Sequence, residues 1–374
     1  MILMDKTKIL FKMFYLYHKA AYDPLIDNFC SDSQYDVAIS LTSDVTQKFG
    51  LFDKKESNNN LTESLQKNVR ISDEKEQFDV VIVPDVVDEK KYGNTLLCML
   101  YHGLTYTKTV TYRELEKHKS NKYIIFAESD YAVEQLEKSG SLHNSEVYKI
   151  GYPKLDSLFQ TGLYDKDKII ESLGLDINKQ TVLYAPTYKP TSVYELKDAI
   201  FEATQNYNLI IKLHHYAWKG KYARHSQHKI FERRLKKYNH AVVIPEKSYS
   251  IVPFLFVADT LISEASGAIT EFLATDKIGV IYDMNDKQLL HTDGQRLLVE
   301  DRQKFLKDSF VHINSPDKLS AGIVKALNPS QKMRNAAKND SNKYFHKLDG
   351  KASIRAKEMI EKLYNEGTHL NIVN

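Results

Sequence analysis

Cysteine is nearly absent. Of 374 residues only Cys30 and Cys98 carry a thiol, too few and too far apart for a disulfide framework or a CxxC zinc pair, and suited to a reducing cytosol. Also lacking is any run of about 18 uninterrupted apolar residues, so no bilayer-crossing helix is expected. The longest N-terminal apolar run, residues 9–17, is broken by Lys12 and leads into His18 and Lys19 without a small-residue cleavage site. It reads as a buried first strand rather than a signal peptide, and the chain is expected to be intracellular, soluble or peripheral to a membrane. No charge excess exists either: 52 Lys+Arg against 49 Asp+Glu leaves +3, so global charge makes no case for a nucleic-acid partner. What is present is 42% hydrophobic residues over a length sufficient for two or three domains. That excludes intrinsic disorder and permits a core in each domain.

Short β-rich runs alternate with helical patterns almost throughout, the pattern of a parallel sheet covered by helices on both faces. Strands are expected at residues 9–15, 36–40, 79–83, 96–101, 123–127 and 147–150. A second series is expected at 181–185, 209–213, 241–244, 260–262 and 277–282, with helices at 131–139 and 169–175 among those between. The polar segment 54–75, with Asn58, Asn59 and Asn60, reads as a mobile surface excursion. Two doubly wound domains follow, over 1–160 and 161–345. In such sheets ligands sit at the carboxyl ends of strands, in the cleft the domains share.

The polar residues gather at those ends. YHGLTYTK, from Tyr101, places His102 after a strand, where an imidazole can accept a proton near neutral pH; a loop histidine bonded to backbone is the plain alternative. VLYAPTYK, from Val182, exits through Pro186 into Thr187. IIKLHH, from Ile210, puts Lys212 and His214 on one face by alternation, two cations for a phosphate. His225 and His228 follow, but no Cys or HExxH accompanies them, so a metal site is not expected. DTLISEASGAITEFL, from Asp259, ends a strand at Ser263 and opens a helix at Ser266 and Gly267, whose N–H groups could hold an anion, with Glu271 one turn inside for a ribose or glycerol hydroxyl. A nucleophilic elbow at Ser266 would need glycine where Glu264 stands; an N-cap serine is the ordinary reading.

In this order, YHGLTYTK, GYPKLD from Gly151, APTYK from Ala185, KLHH from Lys212, DTLISEASGAITEF and DGKASIR from Asp349 resemble the CDP-glycerol glycerophosphotransferase family, the primases and polymerases of teichoic acids and related capsule polymers. The N-terminal hundred residues add only YHKAAYDPLID at 17–27. Departures are Tyr101 and Thr105 for tryptophan and proline, Lys154 for arginine, His215 for proline, and ISEASG for ITDYSS. The resemblance implies an α/β fold of the GT-B type, two Rossmann-like domains with a C-terminal helix in 346–374 crossing back toward the first. It implies transfer of a polyol phosphate, foremost glycerol phosphate, from CDP-glycerol or a related CDP-polyol to a lipid-linked or polymeric glycan acceptor at the inner membrane face, with CMP released and no cofactor required. His102 and His214 would be catalytic. Gly103, Lys108, Pro186, Thr187, Lys212, Ser263, Ser266, Gly267, Glu271 and Arg355 would bind substrate. The rivals are a sugar-nucleotide glycosyltransferase or epimerase on the same fold, and a non-catalytic module for polyanions. Between Lys219 and His240 eight Lys and Arg stand against Glu232 alone, interleaved with Trp218, Tyr222, Phe231 and Tyr238, which fits an anionic membrane surface better than nucleic acid given the implied acceptor.

Overall fold

The computed structural model describes residues 6–41, 44–49, 52–57, 69–87, 92, 94–104, 109–120, 122–219, 227–284, 290, 294–296, 298 and 304–367. The chain divides into two compact units. Unit 1 comprises Met1–Thr46, Asp53–Phe159 and Tyr344–Asn374; unit 2 comprises Gln47–Phe52 and Gln160–Lys343.

In chain order the strands are β1 (Thr7–Met13), β2 (Tyr35–Leu41), β3 (Asp44–Phe49), β4 (Phe52–Ser57), β5 (Arg70–Ile71), β6 (Val80–Val83), β7 (Leu96–Met99), β8 (Ile124–Ala127), β9 (Glu146–Lys149), β10 (Thr181–Tyr184), β11 (Asn208–Ile211), β12 (Ala241–Val243), β13 (Thr260–Ser263), β14 (Val280–Tyr282) and β15 (Val311–Ile313). Unit 1 is built on a sheet of order β5-β2-β1-β6-β7-β8-β9, unit 2 on one of order β12-β11-β10-β13-β14-β15, and β3 pairs with β4. Every pairing in the two large sheets is parallel. Their central strands read VVIV, LLCM, IIFA, TVLY, NLII and TLIS, with every residue buried. Such continuous apolar runs are what a sheet covered on both faces requires. In both sheets the chain winds outward one way from the first strand and then returns to its other side. The order therefore reverses between β1 and β6 in unit 1 and between β10 and β13 in unit 2, and at such reversals the loops diverge and leave room for a ligand.

Expected strands and observed ones differ by one to three residues at their ends. Three differences are larger, the first being β3 (Asp44–Phe49), which was not expected. Within 54–75, read as a mobile excursion, β4 covers Phe52–Ser57 and β5 covers Arg70–Ile71, while 58–68 lie outside the described residues. Arg70 fixes the β5 edge by pairing with Asp36 on β2 (2.8 Å) and with Glu76. The strand β15 was not expected, because three residues interrupted by His312 carry no recognisable period.

Within unit 1 the Ala352–Asn365 helix packs on the Lys19–Cys30 helix. Asn28 Nδ2 donates to Ser353 Oγ (2.9 Å), Tyr35 OH to Glu361 (2.6 Å) and Lys357 Nζ to Asp32 (3.0 Å). No described helix is long and apolar enough to cross a membrane.

Candidate active site

In unit 2 the loops after β10, β11 and β13 carry the expected residues. Beyond β10, Ala185, Pro186 and Thr187 remain buried. Ser263 Oγ donates to the Ala185 carbonyl (2.6 Å) and the residue is wholly buried, so Ser263 ties β13 to β10. That is where the structure places the serine expected among the substrate contacts. One residue that sequence reasoning did not assign to the site is Glu264. Its Oε1 accepts from Thr187 N (2.9 Å) and Ser192 N (3.1 Å), and its Oε2 from Ser192 Oγ (2.8 Å). Tyr184 OH and Ser192 Oγ are 2.8 Å apart. Glu264 thus fastens the 185–192 loop to the 263–267 turn. Burial pushes its carboxyl up to about 7, against the hydrogen bonds that favour the charged form. The signal for it was the replacement of ITDYSS by ISEASG.

Ser266, in extended backbone, caps the Gly267–Leu273 helix by accepting from Ala268 N (3.2 Å), the ordinary cap role. At Gly267 an added Cβ would meet no atom within 4 Å, and the backbone needs no positive φ. Neither packing nor conformation demands glycine there, and the turn stays open to close approach. Glu271, buried at 3% exposure, follows one turn inside. Beyond β11, Lys212 and His214 are half-buried on either side of buried Leu213, as alternation predicts. His214 Nδ1 accepts from Tyr216 N (3.2 Å), so the neutral ring carries its proton on Nε2. Tyr188 and Tyr216 flank the ring at centroid distances of 4.6 and 5.2 Å. His215 Nδ1 lies 3.3 Å from Glu246.

In unit 1, β7 ends at Met99 and the chain turns through Tyr101, His102 and Gly103. The Pro84 carbonyl, just past β6, receives both His102 N (3.2 Å) and His102 Nδ1 (3.0 Å). A carbonyl only accepts, so Nδ1 holds the proton and Nε2 the lone pair. The His102 ring stacks on His18 (4.6 Å between centroids, 25° between planes) and lies near Tyr101 (4.5 Å) and Tyr17 (5.6 Å). Phe14 N donates to His18 Nδ1 (3.3 Å). At Gly103 a Cβ would touch Tyr101 at an ordinary 3.4 Å. Next to Pro84, desolvation pushes the Asp85 carboxyl up to about 6, the hydrogen bond from Val86 N opposing and the Glu114 charge adding to the rise. His18 and Asp85 were not singled out from sequence; only YHKAAYDPLID hinted at the first. Lys108 lies outside the described residues.

Two of the six motifs hold each other. Gly151 has φ +95°, and a Cβ there would come within 2.9 Å of the His346 carbonyl and 3.1 Å of Ala352 Cβ. Asp156 accepts from Ala352 N (3.0 Å), Ser353 N (2.7 Å) and Ser353 Oγ (2.6 Å), capping the Ala352–Asn365 helix from outside. Arg355 Nε donates to the Ile150 carbonyl (2.6 Å) and its Nη1 to both Asp349 oxygens (2.8 and 3.0 Å). In this structure the Arg355 guanidinium, expected to bring charge to a donor diphosphate, pairs with Asp349 within unit 1.

Among the described residues no group of three His, Cys, Asp or Glu could hold a metal ion. His228 stacks on Trp218 at 4.4 Å; His225 lies outside the described residues.

A comparison with the curated proteins returned no match. Among solved structures the wall teichoic acid polymerase TagF is similar at 15% identity, over 96% of this chain and 89% of that one, with a TM-score of 0.66. A UDP-N-acetylglucosamine 2-epimerase is similar at 13%, over 98% and 97%, with a TM-score of 0.57. The S. aureus MnaA–UDP co-structure is similar at 14%, over 98% of both chains, with a TM-score of 0.61. These likenesses show a shared GT-B fold. The model of the family described as CDP-glycerol:poly(glycerophosphate) glycerophosphotransferase matches residues 90–362, well over half of the chain, and the chain belongs to that family of transferases.

Proposed function

We propose that the protein moves glycerol phosphate from CDP-glycerol to an acceptor hydroxyl on a lipid-linked or polymeric glycan. The hydroxyl oxygen attacks the phosphorus that bears glycerol, the bond from that phosphorus to the bridging oxygen breaks, and CMP leaves with the bridging oxygen. With so good a leaving group, the protein's tasks are positioning, charge neutralisation and removal of one proton. His102 Nε2 takes that proton in unit 1. In unit 2 the donor diphosphate rests at the Ser266–Gly267 turn, Lys212 neutralises charge, His214 Nε2–H donates to the transferring phosphate, and Glu271 accepts from a donor hydroxyl. Pro186 and Thr187 shape the turn beside it, and Gly103 belongs to the acceptor side.

What supports this reading is the opposite placement of the proton on two motif histidines. A base needs a ring nitrogen with a lone pair, as the Pro84 contact leaves Nε2 of His102; a donor needs an N–H, as the Tyr216 contact leaves Nε2 of His214. Mixing the protein with CDP-glycerol, CDP-ribitol and UDP-sugars separates this reading from a sugar-nucleotide enzyme. Thermal stabilisation and CMP release with a CDP-polyol are expected. Stabilisation by UDP-sugars alone would overturn it.

Contact with the inner face of an anionic membrane belongs to the same reading. On the Gln227–Leu235 helix and its end, Lys229, Arg233, Lys236 and Lys237 are exposed at spacings that keep them on one side. Arg234 is instead paired with Asp198.

A further inference from the structure

Three strand ends of unit 1 meet at His102. β1 and β6 pair where the strand order reverses, and β7 pairs with β6. From the β7 end, His102 is bonded to the Pro84 carbonyl at the β6 end, and its ring stacks on His18, which lies beyond β1, with centroids 4.6 Å apart and planes at 25°. Tyr17 and Tyr101 also stand against the His102 ring, at 5.6 and 4.5 Å. The His18 side of the stack is fixed in its own right. At 2% exposure His18 is buried where the turn Leu16–His18 passes into the Lys19–Cys30 helix. Its Nδ1 accepts from Phe14 N (3.3 Å), and Tyr17, Tyr15 and Phe14 meet its ring edge-on at 4.5, 5.6 and 5.9 Å.

A single hydrogen bond leaves an imidazole free to rock about it, whereas a flat ring at stacking distance holds its plane. With Phe14 N–H donating to Nδ1, neutral His18 carries its proton on Nε2. A second proton, at Nδ1, would break the Phe14 bond and place a charge in a buried ring. His18 is therefore held uncharged. Of the two stacked imidazoles, His102 is the one that takes a proton, as a cation set against neutral aromatic rings. We propose that His18 is a positioning residue for the transfer: its ring holds the plane of His102, keeps Nδ1 on Pro84 and supports the imidazolium formed when Nε2 takes the acceptor proton, while no proton passes to His18. The inference rests on the reading of His102 as the base and adds the ring that this base is set against.

The test reads the His102 nitrogens and the turnover of the full chain. Long-range proton–nitrogen NMR, with the His102 signals assigned by their loss in His102→Ala, shows where the proton sits and needs no turnover. The Nδ1–H pattern is expected in the parent and in His18→Phe, which keeps a flat face. An averaged pattern is expected in His18→Leu, which keeps apolar bulk without one; His18→Met serves the same purpose if the leucine variant does not fold. For CMP release from CDP-glycerol with water as acceptor, kcat should fall about threefold to tenfold in His18→Leu with KM unchanged, recover in His18→Phe, and fall no further when His18→Leu is added to His102→Ala. An unaltered His102 pattern in His18→Leu, an equal loss of kcat in both backgrounds, or a loss in His18→Phe as large as in His18→Leu would overturn the proposal. Parent-like turnover in His102→Ala beside an averaged pattern in His18→Leu would sink the general-base reading and leave His18 holding the ring.

Discussion

Where a proton sits on an imidazole decides what the imidazole can do, and His102 and His214 are set in opposite states by one backbone partner each. Replacing His102 by Ala should lower kcat by about a hundredfold to ten-thousandfold, as loss of a general base does, while CDP-glycerol still raises Tm as in the parent. His214→Ala should reduce that rise as well. Near-normal turnover in a folded His102→Ala protein, or equal loss of donor binding in both variants, would return His102 to a loop residue bonded to Pro84. Glu264 carries a second prediction. Its carboxyl is held near 7 in the fold, above its ordinary 4.5, so the folded state binds the extra proton between those values. The stability it contributes is fully present below pH 4.5 and is lost as pH rises to about 7. Glu264→Gln does not titrate, so its deficit relative to the parent should shrink by about 3 kcal/mol between pH 4.5 and 8, read from denaturant unfolding at each pH. A constant deficit would mean that Glu264 stays ionised throughout.

At the scale of turns and helices, two motif glycines make opposite predictions. Gly151 sits at positive φ with a carbonyl and a methyl in the space a side chain would fill. Gly151→Ala should therefore destabilise unit 1 by about 2 kcal/mol or more, and Asp156→Ala should add to the fraying of the Ala352–Asn365 helix. Gly267 meets nothing, so Gly267→Ala should unfold at the parent temperature yet bind CDP-glycerol more weakly, because a methyl group would stand where the diphosphate approaches. Thermal scans with and without CDP-glycerol read both; a destabilised Gly267→Ala would mean that the glycine serves the fold. The contrast also explains what the sequence could reveal at this scale. GYPKLD and DGKASIR are as recognisable as APTYK or KLHH, but nothing in their spelling says that they bind each other through Asp156 and Arg355. A motif records which residues are constrained. Whether the constraint is a ligand or a neighbouring helix is known only once the hydrogen bonds are assigned.

For the whole molecule, periodicity was enough for the two parallel sheets, because strands buried on both faces such as VVIV and IIFA have no competing reading once helical patterns separate them. Short or edge elements escaped it: β5 is held by Arg70 and its carboxylates rather than by apolar residues, and β15 is broken by His312. In the candidate site, the placement of the motif residues at strand ends was legible. Those that hold the motif in place, Glu264, Pro84 and His18, act through distances that sequence does not contain. The basic stretch around Phe231 presents the same problem for a partner. Of the eight cations in sequence, Lys229, Arg233, Lys236 and Lys237 are exposed among the described residues, while Arg234 turns to Asp198. The four exposed cations against Glu232 leave a net charge of three on that face, enough to raise partition onto an anionic surface about a hundredfold at low salt. Because that attraction acts over roughly 10 Å at 0.1 M salt and less above it, the protein should pellet with vesicles containing phosphatidylserine in dilute buffer, not with phosphatidylcholine alone, and should be released by half-molar salt. Lys229→Glu with Lys236→Glu should abolish pelleting without changing the stabilisation by CDP-glycerol. Equal pelleting with both lipids, or with neither, would leave these lysines as an ordinary solvated face, and any approach to a lipid-linked acceptor would then depend on the acceptor's own groups.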